Sequence, residues 1–335
     1  MTGKPDSAPE LGILVVNWRT PGLAVDCLRS LVAERASVDV RVIVVDNASG
    51  DDSVEKIGAA IAENGWQDWV TLIPAPRNGG FAYGNNVAIR AMLGRHPDLR
   101  HVLLLNPDTL VRPGALRLLL DFMAAHPQVG VAGGVSEDPD GTPQACCFRF
   151  PSALSEFLTY AQIGLFDRLF SRSTLVVRKP REPEEVDWVS GAYVVVRREV
   201  IDDIGLLDEG YFLYFEETDF LLRARRSGWR CWHVPASRVV HLVGQSTGVN
   251  DAQAGMRSLP GYWFESRRRY FILNHGRLYA MLADIAALAG HALNRIRCNL
   301  LRREVTDPPN FVSGLLRSGA LTNGRASLKP RSMGP

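Results

Sequence analysis

Hydrophobic positions gather into short, unbroken runs along the first 135 residues. Residues 11–16 form one run, ending at Asn17 and Trp18. Residues 40–45 form a second, interrupted only by Arg41 and ending at Asp46 and Asn47. Residues 69–73, 101–105 and 129–132 supply three more. Between them, residues 23–32, 54–62, 82–93 and 115–124 repeat apolar positions at helical spacing. Short apolar strands alternating with helices of about ten residues predict βαβ units around a sheet buried on both faces. The predicted fold class is α/β, with a single, mostly parallel central sheet flanked by helices.

After residue 135 the alternation stops. Residues 152–170 have helical spacing, and 178–185 read as a charged, proline-bearing loop. Residues 186–196 read as a strand broken at Ser190-Gly191, and 217–226 as a short helix. Residues 229–234 and 238–243 read as two further strands, and 262–301 as a largely helical C-terminal extension. The longest apolar stretch, 278–293, is broken by Asp284 and His291 and falls short of the ~20 residues of a membrane-spanning helix. Met1 to Glu10 is polar with two prolines, which predicts a disordered N-terminus over 1–10 and no signal peptide.

Composition narrows the function classes. Of 335 residues, 46% are hydrophobic and 22% charged, which excludes a disordered chain. Lys plus Arg number 38 against 36 Asp plus Glu, too balanced for a dedicated nucleic-acid binder. The balance hides an asymmetry. Residues 257–335 carry 13 basic and 4 acidic residues, leaving 25 and 32 in the first 256. The basic C-terminal segment is either a solvated tail or a surface for something anionic, such as a membrane. Five cysteines without a C-x-x-C pair indicate neither a disulfide framework nor a zinc site, and predict reduced thiols in the cytoplasm.

In open α/β sheets, ligands bind beyond the carboxyl ends of the strands. Four predicted strands end there on Asn17, on Asp46 with Asn47, on Arg77 with Asn78, and on Asn106 with Asp108. Helix capping accounts for any one of these, but poorly for all four. Asp108, in Asn106-Pro107-Asp108, is either a carboxylate for a hard divalent cation or the cap of the helix near Pro113. Asp46 ends its strand before Ser49 and Asp51, which can cap the next helix. Gly79 and Gly80 precede a helix, where backbone can approach an anion closely. Glu216, Glu217 and Asp219 lie beside Tyr211, Phe212, Tyr214 and Phe215. They are either ordinary first-turn acids facing Arg223, Arg225 and Arg226, or include a desolvated general base. His241 ends a predicted strand and is followed by Gly244 and Ser246.

Taken in order, Val15-Val16-Asn17-Trp18, Val45-Asp46-Asn47-Ala48-Ser49, Arg77-Asn78-Gly79-Gly80-Phe81, Asn106-Pro107-Asp108, Ser190-Gly191-Ala192, Tyr214-Phe215-Glu216-Glu217-x-Asp219 and His241 resemble the family 2 inverting glycosyltransferases, most closely the bacterial rhamnosyltransferase group. The resemblance covers about residues 11–250. It implies a GT-A fold over 11–250, with a nucleotide half to about 135 and an acceptor half beyond it. The resemblance leaves the C-terminal segment unmatched. There Arg267, Arg268, Arg269, Arg277, Arg295, Arg297, Arg302 and Arg303 flank apolar helices over 251–305, which either lie on an anionic membrane or cover the core and display arginine to water, before a basic flexible tail over 306–335. The resemblance also implies a nucleotide-diphosphate sugar donor, dTDP-rhamnose as the first choice, and a glycan or polyprenyl-diphosphate-linked acceptor. The cofactor implied is Mg²⁺ or Mn²⁺. By this resemblance Asp46 contacts the donor base, with Asn17, Asn47, Arg77, Asn78, Gly79 and Asn106 around the nucleotide. Asp108 and His241 hold the metal. Glu217 is the base, with Glu216 and Asp219 beside it, and Trp188 and Gly191 lie near sugar and acceptor. The expected location is the cytoplasm, peripheral on the inner face of the cell membrane.

Two departures from the family pattern stand out. Asn106 occupies a position that is often Asp, and Glu217 one that is often Asp. A nucleotidyltransferase and a catalytically impaired carbohydrate-binding homologue are the alternatives. The first lacks the expected glycine-rich phosphate loop, and a nicotinamide enzyme lacks its dinucleotide fingerprint.

Overall fold

The computed structural model describes residues 9–164, 169–170, 173–177, 180–242, 258–323 and 328. The N-terminal part alternates as predicted: β1 (Leu11–Asn17), α1 (Pro21–Glu34), β2 (Val40–Asp46), α2 (Ser53–Glu63), β3 (Val70–Pro74), α3 (Gly80–Arg95) and β4 (His101–Leu105). These strands pair in parallel in the order β3-β2-β1-β4. Alternate side chains of β1 enter different cores. Ile13 and Val15 pack with Leu28, Leu31 and Leu103 on one face, and Leu14 packs with Ile89, Met92 and Leu104 on the other. Each such fully buried aliphatic side chain contributes about 1.5–3 kcal/mol.

The second half is mixed rather than parallel. It runs β5 (Thr109–Val111), α4 (Ala115–Ala125), β6 (Val129–Glu137), β7 (Cys147–Phe148), α5 (Ala153–Ala161), β8 (Glu184–Val186), β9 (Trp188–Val189), β10 (Tyr193–Arg197), α6 (Arg198–Ile204), α7 (Glu216–Arg226) and β11 (Arg230–His241). The sheet order is β3-β2-β1-β4-β10-β6-β11-β5, with β8 also on β11. β10 lies antiparallel between β4 and β6 and joins the halves into one sheet. The two strands expected over 229–243 are one strand, β11, whose register against β6 shifts between His233 and Arg238. That shift brackets Pro235, which cannot donate to a ladder.

The C-terminal extension comprises α8 (Gly261–His275), α9 (Arg277–Leu300), α10 (Phe311–Ser318) and α11 (Ala320–Asn323). Ion pairs hold several of its buried polar groups. The Arg267 guanidinium donates to Glu156 (2.9 Å) and Asp284 (2.5 Å), and His291 pairs with Asp307 (2.7 Å). Asp284 and His291, which break the apolar stretch in the sequence, are thus its internal anchors. Among the described residues no helix is long and apolar enough to cross a membrane. The tail expected to be flexible from 306 is instead ordered over 306–323, where Asp307, Phe311 and Leu315 are buried. At the other end, Glu10 N–H donates to Asp39 O (2.9 Å), so chain order begins before 11, while residues 1–8 lie outside the described set.

Candidate active site

A cleft of about 440 Å³ opens at the carboxyl ends of β1, β2 and β4. At one end, parallel register sets Asn17 beside Asp46. Asn17 Nδ2 and Ser49 Oγ donate to Asp46 Oδ1 (2.8 and 2.6 Å), and Ser49 N–H donates to Oδ2 (3.1 Å). Asn17 is fully buried and also accepts from Thr20 Oγ1, so it braces Asp46 instead of facing the cleft. Asn47 does face it. Its Nδ2 donates to Asn78 Oδ1 and Gly80 O, and its buried Oδ1 has no partner. The predicted nucleotide set therefore divides. Asn47, Asn78 and Asn106 line the cleft, whereas Asn17, Asp46, Arg77 and Gly79 stand behind it. Arg77 lies over the Tyr83 ring at 4.2 Å.

Gly80 ties this end to the loop of residues 211–215. Its φ is +86°, and a Cβ there would collide with the Phe212 carbonyl oxygen. The next residue, Phe81, donates its N–H to that oxygen (2.8 Å). The first turn of α3 is thereby fixed against residues 211–215.

At the opposite corner, the last residues of β11 pair antiparallel with β5, His241 opposite Thr109. Leu242 N–H donates to Asp108 O (2.9 Å), and His241 Nε2 lies 3.4 Å from Asp108 Oδ1. Asn106 Nδ2 is 3.5 Å from the same nitrogen, and its Oδ1 is buried without a partner. Gln144 sets the histidine tautomer. Its Nε2 donates to Asp138 Oδ1 (2.7 Å) and His241 O (2.8 Å), so its Oε1 faces His241 Nδ1 at 3.2 Å, and that nitrogen carries the proton. Nε2 is left with a lone pair towards Asp108. A carboxylate, an imidazole nitrogen and an orphaned amide oxygen form a donor set that fits Mg²⁺ or Mn²⁺. The capping alternative for Asp108 fails, because α4 is capped from across the fold: Gly114 and Leu116 N–H donate to Glu34 (2.6 and 2.9 Å).

Between these ends lies the acid pair. Tyr214 and Phe215 both adopt left-handed backbone (φ +70° and +69°), a conformation costly for bulky residues. It turns the chain directly into α7, whose first residues are Glu216 and Glu217. Burial pushes the Glu216 carboxyl well above its usual range, and the adjacent Glu217 charge pushes it further. Burial also raises Glu217, against opposing backbone N–H groups that include those of Gly191 and Thr218. Both carboxyls are thus pushed towards the neutral form, and charge on one opposes charge on the other. One oxygen of each, Oε2, is buried without a partner. Gly191 borders the pair, its ideal Cβ position lying 3.6 Å from Glu217 Cβ.

Two predicted residues are elsewhere. Asp219 is fully buried and bonded by Arg223 Nε (2.9 Å) and Asn274 Nδ2 (2.7 Å), so it anchors α7 to α8 and faces no substrate. Trp188 stacks on Phe148 and donates to Arg149 O (2.8 Å), behind the cleft wall. The sequence reading missed Gln144 and Tyr262. Tyr262, at the start of α8, lines the cleft and stacks on Tyr214, so the C-terminal extension contributes to the site. Gly244 and Ser246 lie outside the described residues. Not among the residues that line the cleft, Cys146, Cys147 and His233 are buried with donor atoms within 4.8 Å of one another. A side-chain hydrogen bond with Cys146, then burial, raise the Cys147 thiol, while burial pushes His233 down to about 4.

The sheet, the cleft at its carboxyl edge and the Asp108–His241 corner define a nucleotide-sugar transferase architecture of GT-A type. The profile described as glycosyltransferase like family 2 matches residues 8–255, and the chain belongs to that family. It is 31% identical over 231 residues to the N-acetylglucosaminyl-diphospho-decaprenol L-rhamnosyltransferase of Mycobacterium tuberculosis, covering 67% of this chain and 72% of that protein. It is 22% identical over 261 residues to the dTDP-rhamnosyl transferase RfbF of Shigella flexneri, covering 77% and 79%. In fold it is similar to the mannosyltransferase PcManGT from Pyrobaculum calidifontis in complex with GDP-Man and Mn²⁺ (TM-score 0.53, 14% identity, 97% of this chain and 88% of that one). It is also similar to GalNAc-T7 with UDP, GalNAc and Mn²⁺ (TM-score 0.56, 13% identity, 97% and 59%).

Proposed function

We propose that the protein is an inverting rhamnosyltransferase. It would move rhamnose from dTDP-rhamnose to a hydroxyl of a glycan carried on a polyprenyl diphosphate. The single observation that carries this reading is the shared cleft. Glu217 and the Asp108–His241 corner both line it. The relatives named as rhamnosyltransferases support the choice of sugar, and the mycobacterial one supports the choice of acceptor.

Glu217 accepts the proton of the acceptor hydroxyl as its oxygen bonds to the anomeric carbon. The bond from that carbon to the diphosphate oxygen breaks on the opposite side, its electron pair leaves with the nucleoside diphosphate, and the centre inverts. Glu216, protonated beside it, keeps the second carboxyl neutral so that Glu217 carries the negative charge. Asn47 presents its free Oδ1, an acceptor suited to a ring N–H of a pyrimidine base. Asp46 braces the loop that carries Asn47. Asp108, His241 and Asn106 would hold the divalent cation, whose chemistry when bound is to offset the charge gathering on the diphosphate. Backbone N–H groups at the start of α3 add to the same field.

The test is nucleoside diphosphate release from dTDP-rhamnose, UDP-glucose and GDP-mannose, each with Mn²⁺ and with EDTA. Metal-dependent release from dTDP-rhamnose alone is expected. Equal release from all three, or none from dTDP-rhamnose, removes the reading.

A further inference from the structure

α9 is amphipathic in the wrong sense for a helix that faces water. Its inner side carries Asp284, His291 and Asn294, each buried and partnered, among small residues such as Ala283 and Ala287. Its outer side carries Leu278, Leu282, Ile285, Ala289, Ala292, Ile296 and Leu300, all exposed. The spacing of 4, 3, 4, 3, 4 and 4 keeps them in one stripe, roughly 33 Å long at 1.5 Å per residue. Leu278 is 84% exposed and Leu300 79%, so the stripe stands clear of the rest of the chain. A water-facing helix normally shows the opposite pattern, and an apolar strip of this length marks a contact surface.

The charges around the stripe select the partner. Arg277, Arg295, Arg297, Arg302 and Arg303 lie on or just beyond α9. The single acid of α9, Asp284, is buried and engaged by Arg267, so beside these five arginines the one exposed carboxylate on or just beyond the helix is Glu304. A second copy of the chain would set an equally cationic surface against this one. An anionic lipid surface meets both demands, apolar chains for the stripe and phosphates for the guanidinium groups. Because α9 cannot span a bilayer, it would lie in the interfacial plane.

We propose that the outer face of α9 is a docking surface for an anionic membrane. The inference stands on α9 alone and adds to the proposed function the surface on which a lipid-linked acceptor would be met. The experiment floats the full chain on sucrose gradients with vesicles of phosphatidylcholine, with and without 30% phosphatidylglycerol. The wild type is expected to rise with the anionic vesicles and stay behind with the neutral ones. L282Q/I285Q/I296Q is expected to lose at least roughly tenfold in vesicle affinity, and R302A/R303A a similar factor that high salt abolishes. The substituted side chains are exposed, so unchanged melting midpoints are expected and report intact folds. Failure of the wild type to float, or equal flotation of the triple variant, overturns the proposal. So does a dimer in sedimentation that the triple variant dissolves, since the stripe would then be a self-association face. Donor hydrolysis in solution does not involve α9, so it separates failure here from failure of the transferase reading.

Discussion

His241 Nε2 sits 3.4 Å from Asp108 Oδ1 because the last residues of β11 pair antiparallel with β5, immediately after Asn106-Pro107-Asp108. Strand pairing thus fixes the turn of residues 106–108 against the end of β11. Adding Mn²⁺ is expected to raise the melting midpoint by a few degrees at concentrations well above Kd. Asp108→Ala and His241→Ala should each abolish that rise in differential scanning fluorimetry. An undiminished rise in both would place the cation elsewhere.

Gln144 reaches this corner only through His241. Gln144→Leu leaves the Nδ1 proton without its acceptor, freeing the ring to change tautomer. Isothermal titration of Mn²⁺ is expected to show roughly 10–100-fold weaker binding. Gln144→Glu, which restores an acceptor, should recover most of it.

Glu217→Gln removes the proton acceptor and keeps the shape. Transfer should fall by ~10²–10⁴-fold, while donor affinity, read by titration of the nucleotide sugar, stays within a factor of about three. Turnover near wild type would remove Glu217 from the role of base.

The raised carboxyls give a signed pH dependence. Glu217 acts as base only when ionised, so activity should rise with pH through a midpoint above the ordinary carboxylate range. Stability runs the other way. The folded state holds protons on Glu216 and Glu217 that the unfolded chain has already released, so their contribution is present at low pH and is lost as pH rises through the raised values. Glu216→Gln, permanently neutral, should leave the acid limb of the rate profile in place, because Glu216 is already protonated where Glu217 ionises. A limb moved to lower pH would mean that Glu216 carries charge there.

Gly80→Ala combines a positive φ with a collision against the Phe212 carbonyl. About 1–3 kcal/mol of destabilisation is expected in urea unfolding, with a fall in kcat as the acid loop shifts. Asp219→Ala removes the buried acceptor shared by Arg223 Nε and Asn274 Nδ2 and should cost about 3–5 kcal/mol.

Much of this was legible in the chain. Strands β1 to β4 and the helices between them follow from local periodicity, and each strand end carries the polar residue expected of it. What periodicity cannot see is which strand ends share a face of the cleft. Asn17 and Asp46 occupy equivalent positions on neighbouring strands, yet they bond to each other, and only Asn47 turns a free atom inward. Asp219 obeys the same i,i+4 rule in either role, and only Asn274, from a helix far along the chain, decides between them. Gln144 carries no local signal at all. Its importance lies in the direction of one amide.

The sheet topology has a consequence for the nascent chain. Among the described strands β6 pairs with β10 and β11, both encoded downstream of it. At ~5–20 residues per second, the ribosome leaves its two edges without partners for several seconds, along with the outer edge of β4. Fragments ending before β10 would expose the same edges permanently, as templates for pairing between molecules. Chaperone capture during synthesis, and poor recovery of any truncation upstream of residue 193, follow from where one antiparallel strand was inserted.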